Sequence, residues 1–115
     1  MQRMYKELIL FRNELKNKSI PKYKIIGIVS ELLLSKQVFL KNSDIEDFLK
    51  DIFGLEFKAY LFKSRTLLIA RVTKEIISME KDNEYKNKLY KFVQGKIDEL
   101  KDNERKEKNQ LDGWI

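Results

Sequence analysis

Residues 43–76, SDIEDFLKDIFGLEFKAYLFKSRTLLIARVTKEI, decide how the rest of the chain is interpreted. The stretch predicts a short acidic helix that ends at Gly54, followed after a few residues by a basic helix. This order of short helix, break and cationic helix is typical of a DNA-binding helix-turn-helix. Because two packed helices of any small bundle have the same pattern, residues 43–79 are predicted only as a helix-turn-helix-like unit.

The acidic helix carries signals for both of its ends. Ser43 and Glu46 match a capping box, in which the serine oxygen accepts from the glutamate N–H and the glutamate reaches back to the serine N–H. The apolar residues that follow have the spacing of one buried helix face: Ile45, Phe48, Leu49, Ile52 and Phe53. Gly54 supplies the left-handed residue that commonly ends a helix.

The segment that follows, residues 55–63, is ambiguous because apolar and polar residues alternate without a convincing partner strand elsewhere. We expect a loop or an early start of the next helix. From Ser64 the pattern is helical to about Met79. Its inner side is formed by Leu68, Val72 and Ile76, with Ile69 and Ala70 beside them.

Two helices are predicted before this unit. The first spans residues 2–17, and its apolar stripe consists of Met4, Leu8, Phe11 and Leu15. Pro21 marks the start of the second, since proline lacks an N–H that a first turn does not use. From residue 23 to residue 34 apolar side chains go round most of the helix. A helix that is apolar on most sides is buried, so this one is predicted to be central.

The last helix is predicted after a polar turn at residues 80–84, with Asp82 or Asn83 as its cap, and it extends to about Leu100. Residues 101–110 contain no apolar side chain. We therefore predict an all-α single domain of about five helices over residues 1–100, and a charged, flexible C-terminal tail over residues 101–115. A frayed helical extension is the alternative for the tail.

Composition excludes several kinds of chemistry. The 115 residues include no Cys and no His, which removes thiol nucleophiles, disulfides, zinc fingers and histidine bases. The sequence has no phosphate-binding glycine loop and no calcium-binding loop motif. We therefore expect a protein that is not an enzyme and holds no metal or cofactor. No signal peptide and no apolar run long enough to span a bilayer is visible, so we expect a cytoplasmic protein without a membrane partner.

The charge distribution favours an anionic partner. The net charge is +6, and residues 58–75 hold five basic residues and one acid, whereas residues 41–56 hold five acids and two bases. This change of sign between neighbouring helices predicts a cationic surface. Surface lysines also serve solubility alone, which is the competing interpretation.

Nucleic-acid binding, DNA rather than RNA, is the leading hypothesis for a small regulatory or accessory protein. Hydroxyl groups and first-turn N–H groups suit phosphate oxygens, and arginine suits a bidentate contact to guanine. The candidate residues are Lys63, Ser64, Arg65, Thr66, Arg71 and Lys74, with Lys22 and Lys24 at the second helix. The hydroxyls at 64 and 66 also fit simple helix capping, and Arg71 also fits an ion pair with a carboxylate of the acidic helix.

A protein-interaction module, such as an adaptor, an inhibitor or a small subunit, is the alternative hypothesis. Its basic face would meet an acidic protein, or its C-terminal tail would dock through Trp114. A homodimer is also expected, since twofold dimers are the usual state of helix-turn-helix regulators. Four residues of the last helix are candidate contacts either to a second copy of the chain or to the chain's own core: Tyr85, Leu89, Phe92 and Val93.

Overall fold

A computed structural model describes residues 2–80 and 83–112, without the side chains of residues 2, 83 and 106–112. The described residues form five α-helices, a short 3₁₀ helix and no strand, which confirms the predicted all-α class. In chain order the elements are α1 (Gln2–Leu15), α2 (Lys22–Leu34), α3 (Asn42–Phe53), the 3₁₀ helix (Ala59–Lys63), α4 (Arg65–Ser78) and α5 (Asn83–Asp112).

The helices pack as two pairs with α3 joining them. Helix α1 packs on α5, α2 packs on α4, and α3 contacts both α5 and the 3₁₀ helix. Helices α2 and α4 are antiparallel, because Lys22 at the start of α2 bonds to the end of α4 and Arg65 at the start of α4 bonds to the end of α2. A single hydrophobic core runs through all five helices.

An aromatic cluster fills the core between α3 and α5. The Phe48 ring lies 4.6 Å from the Phe92 ring and 5.1 Å from the Phe39 ring, measured between centroids. Phe53 extends the cluster to Tyr85, at 5.1 Å. Edge-to-face and stacked ring pairs add to the burial of apolar surface, so this cluster fixes α3 on α5.

Helix α2 differs from its prediction. Five of its described side chains are buried, namely Ile25, Ile28, Val29, Leu32 and Leu33. Tyr23 and Leu34, however, are 69% and 54% exposed. The prediction of a helix buried on most sides was therefore wrong, because α2 lies at the surface and turns one apolar side to solvent.

The predicted cap of α3 is displaced by two residues. The helix begins at Asn42, and the carboxylate of Asp44 accepts from the N–H of Lys41 at 3.1 Å. Ser43 and Glu46 are therefore not the capping pair. The end was predicted correctly, since Gly54 has φ +66° and its N–H donates to the carbonyl of Lys50 at 3.0 Å.

The connection from α3 to α4 spans residues 54–64 and contains the 3₁₀ helix. A helix-turn-helix joins its helices through three or four residues. The connection is thus longer than in a standard helix-turn-helix. The 3₁₀ helix contacts both α3 and α4, and its Leu61 is buried in the core.

Helix α5 extends beyond its predicted end. It continues through Asp112, so residues 101–112 lie within it. The division into a domain over residues 1–100 and a flexible tail over residues 101–115 stays a prediction. Trp114 and one predicted cap, Asp82, lie outside the described residues, as do residues 113 and 115.

Candidate interaction surface

Arg65 faces the interior of the fold. Its Nε donates to the side-chain oxygen of Asn42 at 2.8 Å, and its Nη1 donates to the carbonyls of Leu33 at 3.1 Å and Ser35 at 3.2 Å. Its Nη2 donates to the carbonyl of Phe39. Arginine has five N–H donors in a planar fork, and here it ties the α2–α3 connection to the start of α4. The guanidinium predicted to contact phosphate or guanine thus holds the fold together.

Asn42 completes this contact from α3. Its side-chain N–H donates to the carbonyl of Phe62 at 2.7 Å, while its side-chain oxygen accepts from Arg65. The two residues therefore join α3, the 3₁₀ helix and α4 at one point. Sequence reasoning missed this role, because the partners of Arg65 lie 23 to 32 positions earlier in the chain.

Lys22 closes the other end of the α2–α4 pair. Its ammonium group donates to the carbonyl of Ile77 at 3.3 Å and to the carbonyl of Met79. The last carbonyls of a helix have no partner within the helix and carry its negative dipole end, so a lysine stabilises them. This position gives Lys22 a structural role at the end of α4.

Ser64 and Thr66 lie at the start of α4. The Ser64 hydroxyl accepts from the N–H of Leu67 at 3.4 Å, and it lies 3.0 Å from the Thr66 hydroxyl. Ser64 is the N-cap of the helix. The capping alternative is therefore what the structure shows for Ser64, while the Thr66 hydroxyl contacts that cap.

Four of the predicted cationic residues remain exposed: Lys24, Lys63, Arg71 and Lys74. None of them makes an ion pair with a described residue, so the alternative of a carboxylate partner for Arg71 is not what the structure shows. Arg71 and Lys74 are three residues apart on α4 and are neighbours on its surface.

Exposed apolar side chains lie on the outer sides of both α2 and α4. Tyr23, Gly27, Ser30 and Leu34 follow one another on α2 at spacings of four, three and four residues, and so line one side of it. On α4 the matching outer stripe is Leu67, Ala70, Lys74 and Ile77. Each stripe lies on the side of its helix that is opposite the buried residues. We call the two stripes together the α2/α4 face.

The α2/α4 face is unusually apolar for this chain. Tyr23 is 69% exposed, Leu34 54%, Leu67 49% and Ile77 62%. Charged residues make up 37% of the sequence, yet α2 carries none between Lys24 and Glu31. A scattered apolar residue on a surface needs no explanation, whereas large exposed apolar side chains on two helices that pack together are a candidate interaction site.

The sequence contained a signal for this face that the prediction missed. Positions 23, 27, 30 and 34 are all uncharged and have helical spacing. Tyr23 and Leu34 were predicted to be buried because α2 was predicted to be central. The sequence pattern fits either a buried or an exposed side of α2. The packing of α2 in the structure shows that this side is exposed.

The predicted partner residues of α5 are used inside the chain. Tyr85 is 4% exposed, and Leu89 and Val93 are fully buried. Phe92 is half-buried and stacks 5.6 Å from Phe39. These residues cover the chain's own core, which was one of the two alternatives for α5, and the homodimer stays a prediction.

Within residues 2–80 and 83–112, no helix is long and apolar enough to cross a membrane. The same residues contain no group of three acidic side chains arranged to hold a metal ion. Comparisons of the chain with protein-family models, with curated proteins and with solved structures find no match.

Proposed function

We propose that the protein is a helical interaction module that binds an acidic amphipathic helix of a partner protein on the α2/α4 face. The observation that carries the proposal is the pair of outward apolar stripes on two adjacent antiparallel helices. Amphipathic helices bind partner proteins by placing their apolar side against exposed apolar side chains of helices. Helix α2 has 13 residues and is about 20 Å long, which matches a partner helix of three to four turns.

The charge of the surroundings supports an acidic partner. Residues 22–34 and 63–78 expose four cations, Lys24, Lys63, Arg71 and Lys74, and one carboxylate, Glu31. Complementary potentials favour association, and like charges opposed across an interface disfavour it. A second copy of the chain would place the same cations opposite one another, so charge favours a different, acidic protein.

The proposal is tested with a labelled peptide of 16 residues that places Leu at helical spacing and Glu at the solvent positions. We expect saturable binding, measured by fluorescence anisotropy, and weaker binding of the same peptide with Lys in place of Glu. Tyr23→Ser with Ile77→Ser should weaken binding about tenfold, since both side chains would lose apolar contact. Leu10→Ser, which removes a 61% exposed leucine from α1, is the matched control.

Two outcomes would contradict the proposal. One is equal binding of the acidic and the basic peptide, which would remove the role of charge. The other is equal loss in the control and the double variant, which would show general apolar adsorption. Circular dichroism of each variant checks that helicity is unchanged, as expected for substitutions at exposed positions.

Nucleic-acid binding is the second candidate function, for a DNA-binding regulatory or accessory protein. The observation in its favour is that Lys63, Arg71 and Lys74 are exposed on and beside one helix. It ranks second because Arg65 and Lys22 are already bonded within the fold. The test is a titration of labelled duplex DNA and single-stranded RNA at two salt concentrations. Phosphate contacts predict binding that falls steeply with salt, and no binding at low salt excludes this function.

A further inference from the structure

A groove lies on the opposite helix pair, where the end of α1 meets the first turns of α5. Its volume is about 650 Å³, and its polar lining consists of Lys16, Asn17, Lys18, Lys86, Asn87 and Tyr90. Ligand pockets for small molecules usually have volumes of roughly 300–1,000 Å³. The groove therefore has the size of a small-molecule site.

Among the residues that the structure describes, the lining carries three ammonium groups and no carboxylate. The described ion pairs of the molecule, Arg3–Glu7, Lys50–Glu56 and Lys96–Glu99, involve none of these lysines. Like charges that line one groove repel one another, and an anion bound between them removes that repulsion. The charge of the groove therefore matches an anionic ligand.

The backbone that carries Lys16 and Lys18 is well anchored. The N–H of Lys16 donates to the carbonyl of Arg12 at 3.2 Å, and the side chain of Asn17 accepts from the N–H of Ser19 at 3.0 Å. Ile20, which ends the turn, is only 4% exposed. These contacts hold one wall of the groove in place before any ligand arrives, which lowers the entropy cost of binding.

The other wall belongs to α5. Lys86 and Tyr90 are four residues apart, so they are neighbours on the helix surface, and both are half-buried. The Tyr90 ring gives an aromatic surface next to a positive charge. The carboxamides of Asn17 and Asn87 add hydrogen-bond donors and acceptors in the same groove.

We infer that this groove binds a nucleoside phosphate, with the lysines on the phosphate oxygens and Tyr90 against the base. Ammonium groups bind phosphate through charge-assisted hydrogen bonds, and bases stack on aromatic side chains. The same chemistry is present in a free nucleotide and in one unit of a single strand. The inference is independent of partner binding at the α2/α4 face.

The test uses the full chain, a fluorescent nucleoside diphosphate and a labelled ten-nucleotide oligo(U), each followed by anisotropy at low salt. Lys16→Gln with Lys86→Gln should weaken binding by about tenfold or more, because two phosphate partners are lost. Lys6→Gln with Lys101→Gln is the matched control. It removes the same charge from exposed positions of α1 and α5 that lie outside the groove.

Tyr90→Leu tests the contact to the base. It should weaken binding of the nucleotide and leave competition by inorganic pyrophosphate unchanged. If the oligonucleotide binds more tightly than the free nucleotide and also depends on Lys16 and Lys86, the ligand of the groove is one unit of a nucleic-acid strand. Equal losses in the groove and control variants, or no saturable binding of either probe, overturn the inference.

Discussion

Replacing Arg65 by alanine should destabilise the whole domain, because one guanidinium joins three segments of the chain. It bonds to the end of α2 at Leu33 and Ser35, to Phe39 in the following turn, and to Asn42 at the start of α3. The substitution removes these four contacts together, and three backbone carbonyls then need water as their hydrogen-bond donor.

The expected magnitude follows from the number and kind of these bonds. Hydrogen bonds to charged groups contribute roughly 1.5–3 kcal/mol each, but contributions within one network are not additive. Arg65 is only half-buried, so water replaces part of what is lost. We expect Arg65→Ala to cost about 2–4 kcal/mol of unfolding free energy. For a domain of this size that lowers the thermal midpoint by roughly 10–25 °C.

Urea unfolding followed by circular dichroism gives this free energy directly. Arg71→Ala is the matched control, since Arg71 is exposed on the same helix and makes no ion pair with a described residue. Its cost should remain within about 0.5 kcal/mol. Arg65→Lys keeps the charge but not the planar fork, so it should recover only part of the loss.

Either of two results would refute this reasoning. A loss below about 1 kcal/mol for Arg65→Ala would show that the four contacts do not hold the segments together. Equal losses for the substitutions at 65 and 71 would show that the cost comes from helix α4 itself rather than from the network.

Phe48→Ala should cost about 3–5 kcal/mol in the same unfolding assay, since Phe48 is 4% exposed and contacts the rings of Phe39, Phe53 and Phe92; a loss under about 1 kcal/mol would remove it from the core. Gly54→Ala should cost about 1 kcal/mol, because a side chain at φ +66° is strained, although no atom would clash with it. An unchanged urea midpoint would argue against left-handed backbone there. Arg71→Glu should weaken DNA binding, if DNA is bound, and leave helicity intact; loss of the circular dichroism signal would instead make Arg71 a structural residue.

Local patterns predicted much of the fold. The end of α3 at Gly54, the start of the helical pattern of α4 at Ser64 and the buried stripe of Leu68, Val72 and Ile76 follow from contacts within a few residues. Such contacts depend on backbone geometry and helical periodicity, and both can be inferred from the order of residue types in the sequence. The same periodicity identified Phe48 as a core residue.

The candidate site depended on contacts that local patterns do not contain. Arg65, predicted to bind nucleic acid, bonds to carbonyls up to 32 positions earlier, and Lys22 bonds to carbonyls 55 and 57 positions later. Whether a cation points to solvent or to a carbonyl is settled only when distant segments are packed together.

The chain alone therefore determined that α2 is apolar on several sides, and only the tertiary structure decided which of those sides is buried. Ile25 and Leu32 are buried in the core, while Tyr23 and Leu34 remain exposed to solvent. Burial depends on which neighbours cover a surface, and those neighbours come from elsewhere in the chain. Helical spacing shows which residues lie on the same side of a helix, and packing against the rest of the chain determines which of those sides is buried.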